Sequence, residues 1–178
     1  MREDIIEEEL HIAQERLRQE DQRIMRVFRQ PIRGLSSLQP AVVLAPSATV
    51  REALTVMNRE EVSCVLIVEH DRLVGVFTER DVLTKVVAQA LDMDHTPVRT
   101  CMTRQPASLE MDSELAYALH EMSLGGHRHL PLVDDQGRPV ALVSMRAIVE
   151  ALIEAFPQEI LNLPPSPAHS HPRTPEGA

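Results

Sequence analysis

The sequence predicts an α+β fold: two tandem βαββα-type repeats related by pseudo-two-fold symmetry and preceded by a long N-terminal helix. Three observations carry that prediction. Aliphatic residues recur through four successive elements at an offset that slips once, by one residue. The first thirty residues contain no Gly or Pro, while their apolar residues recur at helical spacing. The last fifteen are Pro-rich and hold no large apolar side chain.

The chain divides at residues 1–30, 31–95, 96–160 and 161–178. In the first segment Ile6, Leu10, Ala13, Leu17, Ile24 and Val27 form an apolar stripe with one gap at Glu20. Glu3, Asp4, Glu7, Glu8 and Glu9 crowd its start and Arg23, Arg26 and Arg29 its end, an order that complements the helix dipole. Pro31 ends the helix. The stripe suits packing on its own domain or contact with a second copy. Residues 164–178 (PPSPAHSHPRTPEGA) read as a disordered tail, with His169 and His171 solvated.

The repeat lies between. Val50, Ala53, Leu54 and Met57 match Leu115, Ala118, Leu119 and Met122 at an offset of 65. Both sets are helix-spaced and follow capping candidates, Ser47 or Thr49 and then Asp112 or Ser113. The β-rich runs Val65–Val68 and Leu130–Val133 keep that offset. Each is followed by a turn and a second strand, Leu73–Phe77 and Pro139–Val143. The second turn, Asp134–Gly137, adds one residue, so the offset becomes 66. There Val82, Leu83, Val86, Val87 and Ala90 match Ile148, Val149, Leu152, Ile153 and Phe156. A copy of about 50 residues is marginal alone. Two copies packed together complete a core and leave a cleft between them.

Composition excludes several function classes. Aromatics are 2% of the chain and net charge is −9, which leaves neither stacking platform nor basic groove for nucleic acid. The same charge argues against an anionic membrane. No apolar run approaches the roughly 18–20 residues of a membrane helix, and the acidic N-terminus is unlike a signal peptide. Two cysteines, Cys64 and Cys101, form no disulfide framework. A cytoplasmic protein is expected. No nucleophile elbow, Walker loop or clustered metal ligands occur, so a regulatory protein is expected rather than an enzyme, with no catalytic residue and no metal.

Gly75-Val76-Phe77-Thr78-Glu79-Arg80-Asp81 resembles the Gly-h-x-Thr-x-x-Asp signature of the CBS (cystathionine β-synthase) domain, where h is apolar. Arg128-His129-Leu130-Pro131-Leu132-Val133-Asp134 resembles that family's second signature, and Val98–Thr103 its inter-repeat connector. The resemblance covers about two thirds of the chain. It implies a Bateman module: paired repeats that bind an adenosine-containing nucleotide in the cleft and assemble as a homodimer.

The chemistry of the candidate residues fits that implication. Thr78 stands where a strand yields to a helix, a place where anions settle. Asp81 lies one turn in and can accept two hydrogen bonds from a ribose diol. Arg80 can reach a phosphate. The competing explanation is a capping box, which needs no ligand. The second copy bears on the choice, because it keeps the cap hydroxyl as Ser144 but has Ala147 in place of the acid. The family's geometry implies that Thr78, Arg80 and Asp81 face Ala107, Ser108, His127, Arg128, His129 and Pro131 across the cleft. AMP ranks ahead of ADP and ATP because the phosphate end carries few cations. A mirror site of Ser144 with Val42, Val43, Ser63 and Cys64 is expected to be weak or empty. A metal site at His120, His127 and His129 is a minor possibility. The alternative to a nucleotide sensor, with or without a regulated partner protein, is a ligand-free dimerisation or docking scaffold.

Overall fold

A computed structural model describes residues 2–157. The Pro-rich tail, with His169 and His171, lies outside the described residues, as do the side chains of Ile6, Leu10, Ala13 and Leu17.

Helix α1 (Arg2–Arg29) is followed by a 3₁₀ turn (Ile32–Gly34), β1 (Gln39–Pro40), β2 (Val43–Leu44), α2 (Val50–Arg59), β3 (Cys64–Glu69) and β4 (Arg72–Thr78). Helix α3 (Glu79–Asp81) runs directly into a π-helical stretch, Val82–Val87. A second 3₁₀ turn (Val98–Thr100) then opens the second copy: β5 (Thr103–Arg104), β6 (Leu109–Glu110), α4 (Leu115–Gly125), β7 (His129–Val133), β8 (Pro139–Ser144) and α5 (Met145–Ala155).

The strands form two four-stranded sheets, ordered β1-β8-β7-β6 and β2-β3-β4-β5. Each repeat therefore gives its leading strand to the other repeat's neighbourhood. β1 pairs antiparallel with β8 (Gln39↔Leu142), and β5 pairs antiparallel with β4 (Val76↔Thr103). Within each copy a parallel strand (β2 or β6) flanks an antiparallel hairpin, β3–β4 or β7–β8. The β3–β4 hairpin turns through His70 and Asp71, both at positive φ.

The duplication extends upstream of the aligned segments. Pro31-Ile32-Arg33 repeats as Pro97-Val98-Arg99, and the two runs make equivalent hydrogen bonds. Ile32 N–H donates to Ser113 O as Val98 N–H donates to Ala48 O. Leu115 N–H donates to Gln30 O as Val50 N–H donates to Thr96 O. That last pair corrects one capping expectation. Thr49 and Glu52 form a full capping box on α2. Helix α4 begins after Glu114, which makes no side-chain cap. Ser113 Oγ instead accepts from Glu110 N–H, and the Gln30 carbonyl serves the first turn of α4.

Two cores result. One gathers Val50, Ala53, Val65, Ile67, Phe77 and Val86 and takes Leu142 from the other repeat. The second gathers Leu115, Met122, Leu132 and Ile148 and takes Val27 from α1 and Ile32 and Leu35 from the start of the first repeat. Helix α1 packs against α4 and α5. Val27 is buried there, whereas Ile24 stands 41% exposed, so the end of the stripe is only partly used within the chain. Arg23 fastens the same junction by donating to Ala155 O (3.0 Å) and lying 5.1 Å from the Phe156 ring centroid.

Candidate functional site

Thr78 ends β4 in extended conformation and caps α3. Its Oγ1 accepts from Asp81 N–H (3.2 Å). The Asp81 carboxylate answers, its Oδ2 accepting from Thr78 N–H (2.9 Å) and from the Thr78 hydroxyl (2.8 Å). Glu79 N–H donates to Ser63 O. The first and third helical N–H groups are thus satisfied inside the protein, and the Thr78 hydroxyl proton is spent on Asp81. Both explanations of the Thr-x-x-Asp pattern meet here, for the capping box forms and Asp81 also lines a cavity.

Asp81 is 6% exposed. Burying a carboxylate is costly unless it is paired. Its Oδ1 supplies the pairing, 2.6 Å from Lys85 Nζ and 3.4 Å from the Thr103 hydroxyl. Lys85 Nζ also donates to Thr103 Oγ1 (3.1 Å). This joins α3 to β5.

The cavity measures about 530 Å³, within the range of small-molecule sites. Thr78, Glu79, Arg80 and Asp81 line one side. Gln105, Pro106 and Ala107 enter from the connector, with Gln105 at φ 46 turning the chain into the cleft. His127, Arg128, His129 and Pro131 form the opposing wall. Of the predicted set, only Ser108 stands outside, exposed one residue beyond Ala107.

The walls differ in charge. Arg33, Arg51, Arg59, Arg138 and Arg146 all pair with carboxylates. Arg80 and Arg128, like Arg72, Arg99 and Arg104, have no ion-pair partner among the described residues, and of these only Arg80 and Arg128 line the cavity. His129 Nε2 lies 3.1 Å from Ser63 Oγ. Burial, reinforced by the neighbouring Arg128 charge and opposed by Glu79, holds the His129 imidazole below its ordinary pKa. His127 precedes β7 rather than alternating with His129 along it. Its ring lies over Gly125, where any Cβ would strike it, and its Nε2 is buried with no hydrogen-bond partner. Such an orphaned polar atom in a cavity wall is what a ligand atom would satisfy.

Sequence reasoning missed Ser63, Glu79, Thr103, Gln105 and Lys85. Glu79 lies within the signature itself, and Thr103 ends the connector, so both carried a signal. Ser63 was placed in the mirror site. It lines this cavity, its hydroxyl 3.1 Å from His129 Nε2. Ser144 is buried and caps α5 through Ala147 N–H, Val43 is exposed, and Cys64 sits in the first core. Burial, reinforced by Glu79 and Asp81, pushes the Cys64 thiol up to about 12. Among the described residues no three His, Cys, Asp or Glu side chains gather for a metal, and no helix is long and apolar enough to cross a membrane.

Two strand-exchanging α+β repeats around a shared cavity define a tandem-repeat pair. This chain belongs to the CBS domain family: the family's sequence profile matches residues 32–88 and 98–154. It is 34% identical over 132 residues to the CBS domain-containing protein CBSCBSPB1 of Arabidopsis thaliana, covering 72% of this chain and 24% of that protein. It thus spans about a quarter of that plant relative's length. An uncharacterized 17.7 kDa protein of Acidianus ambivalens is 32% identical, with 63% of this chain and 67% of that one covered. Among solved structures, a CBS domain protein from Pyrobaculum aerophilum complexed with AMP superimposes with a TM-score of 0.63 at 27% identity, over 71% of this chain and 98% of that one. A CBS-domain containing protein from Agrobacterium tumefaciens gives 0.59 at 25%, over 65% and 91%.

Proposed function

We propose that this CBS pair is a regulatory protein that binds one adenosine nucleotide, AMP or ADP ahead of ATP, in the cavity between its repeats. The observation that carries this is the convergence on one cavity of a buried carboxylate, Asp81, and two arginines without acidic partners, Arg80 and Arg128. The carboxylate suits a ribose diol and the arginines suit a phosphate. The orphaned His127 Nε2 adds a third polar contact, and the aliphatic faces of Val76 and Pro131 suit a purine. The AMP complex of the Pyrobaculum relative supports the same ligand class.

The partner is a second copy of the chain. Leu83 and Val87 on the π-helical stretch are 65% and 53% exposed, and Val149, the repeat-equivalent of Leu83, is 46% exposed. These apolar residues lie on equivalent helices and suit a homodimer that responds to the occupied cavity, alone or through a partner protein.

Calorimetry with AMP, ADP and ATP tests the ligand. The expected result is one site per chain. Arg128→Met should weaken AMP more than adenosine, because only AMP presents a phosphate. No heat with any of the three nucleotides at millimolar concentration refutes the proposal and leaves a ligand-free scaffold. Native mass spectrometry tests the dimer, and a monomer at micromolar concentration refutes it.

A further inference from the structure

We propose that Lys85 is a latch on the nucleotide site: it occupies the acceptor face of Asp81 that a ribose diol needs, and ligand binding must displace it. The proposal rests on Asp81 being the diol acceptor.

An ionised carboxylate accepts about four hydrogen bonds. Two at Oδ2 come from Thr78, and those at Oδ1 come from Lys85 at 2.6 Å and the Thr103 hydroxyl at 3.4 Å. The carboxylate is saturated. The Thr78 bonds hold the start of α3, so the diol must take Oδ1. Lys85 Nζ already stands at hydrogen-bond distance from that oxygen. The ammonium and the diol are therefore competitors.

The choice of cation fits a releasable latch. The chain contains seventeen arginines and a single lysine, Lys85. An arginine would grip Asp81 with a planar two-toothed fork, whereas an ammonium is a point charge on a flexible stem. Lys85 is 35% exposed along its side chain and does not line the cavity, so it can swing to solvent. The repeat supplies an internal comparison. In the second copy the equivalents of Asp81 and Lys85 are Ala147 and Ala151, so acceptor and latch are missing together. The π-helical stretch that carries Lys85 is likewise replaced there by regular helix. Release has a structural consequence, because Lys85 also holds Thr103 on β5. A bound diol unties α3 from the connector between the repeats.

Two measurements test this. In the wild-type protein Lys85 carries the only ε-amine, so acylation by an acetate ester of N-hydroxysuccinimide, read by peptide mass mapping, reports its freedom directly. Saturating AMP should accelerate acylation of Lys85 several-fold, while 2′,3′-dideoxy-AMP should not. In calorimetry Lys85→Met, which keeps the stem and removes the charge, should bind AMP roughly tenfold more tightly, the size of one charge-assisted hydrogen bond. Lys85→Gln serves as a second variant, and the acylation arm needs no variant at all. If AMP binds but slows acylation, or the folded variants bind AMP no better than wild type, the latch is refuted while the nucleotide site stands. If neither wild type nor variant binds AMP, ADP or ATP, the nucleotide reading falls and the latch with it.

Discussion

Gly75→Ala is the sharpest test of how the fold makes the site. Gly75 pairs with Arg104 across β4 and β5. A Cβ there would overlap Met102 Sδ and come within 3.1 Å of Met102 Cγ and of Thr103 O. The thioether can move aside, but the Thr103 carbonyl is backbone and must yield by a few tenths of an ångström. β5 is only two residues long and pairs with β4 only at Gly75 and Val76, with one further bond from Gln105 N–H to Val74 O, so it has little to resist with. Overpacking of this kind costs about 1–3 kcal/mol. For a chain of this size that is a fall of roughly 2–12 °C in Tm. Thr103 also carries the hydroxyl that meets Asp81 and Lys85, and Gln105 to Ala107 follow in the cavity wall, so AMP affinity should fall with stability. The second copy provides the control. Its equivalent residue, Ala141, already carries a Cβ opposite Pro40. Thermal melts and calorimetry on Gly75→Ala decide the matter. A variant that melts within about 1 °C of wild type would refute the claim that this glycine exists to admit β5.

Two further outcomes follow from the same geometry. Ala90 sits at φ 52 just after the π-helical stretch, a conformation that costs a residue with a Cβ about 1 kcal/mol. Ala90→Gly should therefore raise stability by up to about 1 kcal/mol, read as a higher urea midpoint, and a loss of stability would contradict the assignment. His129, facing Arg128, Glu79 and Ser63, has its pKa held below the ordinary value of 6.5 in the folded chain, by burial first and Arg128 second. Below pH 6.5 the unfolded chain takes up a proton that the folded one refuses, so His129 makes stability fall as pH drops from about 6.5 toward its folded pKa. His129→Asn should flatten that part of the stability–pH curve, measured as the difference from wild type, and an unchanged slope would refute the shift.

The sequence made the repeat unit legible because burial imposes a period. Helix-spaced aliphatics and β-rich runs must recur if two copies share a core, and Leu66, Leu132, Phe77 and Ile148 are all buried. Of the candidate residues, Thr78, Arg80, Asp81, Ala107, His127, Arg128, His129 and Pro131 line the cavity, while Ser108 does not. The exchange of β1 and β5 was not legible. A two-residue strand has no period, and its partner is set by where the chain goes next. That exchange brings Thr103 to Asp81, and Ser63 meets His129 from 66 positions away, so these missed residues are placed by non-local contacts. The side-chain cap expected of α4 is absent because the Ser113 hydroxyl accepts from Glu110 N–H instead. Lys85 was invisible in a different way. One lysine on a helix reads as a solvated charge until the carboxylate a turn away proves to be buried.

The exchanged strands also determine how the repeats can respond to a ligand. β1 belongs to the first repeat yet completes the second sheet, and β5 belongs to the second repeat yet completes the first sheet. Leu142 of the second copy is 3% exposed within the first core. Neither repeat can unfold without stripping a strand or a core residue from the other, so the pair should melt in one transition. The cavity lies across that junction, with Asp81 contributed by one repeat and Arg128 by the other. A nucleotide bound there stabilises the junction as a whole, by about 2.7 kcal/mol at a hundred times its Kd. Scanning calorimetry should therefore show a single peak that AMP shifts upward intact. Two resolved peaks, with AMP moving only one, would mean that the repeats fold independently and that the strand exchange does not couple them.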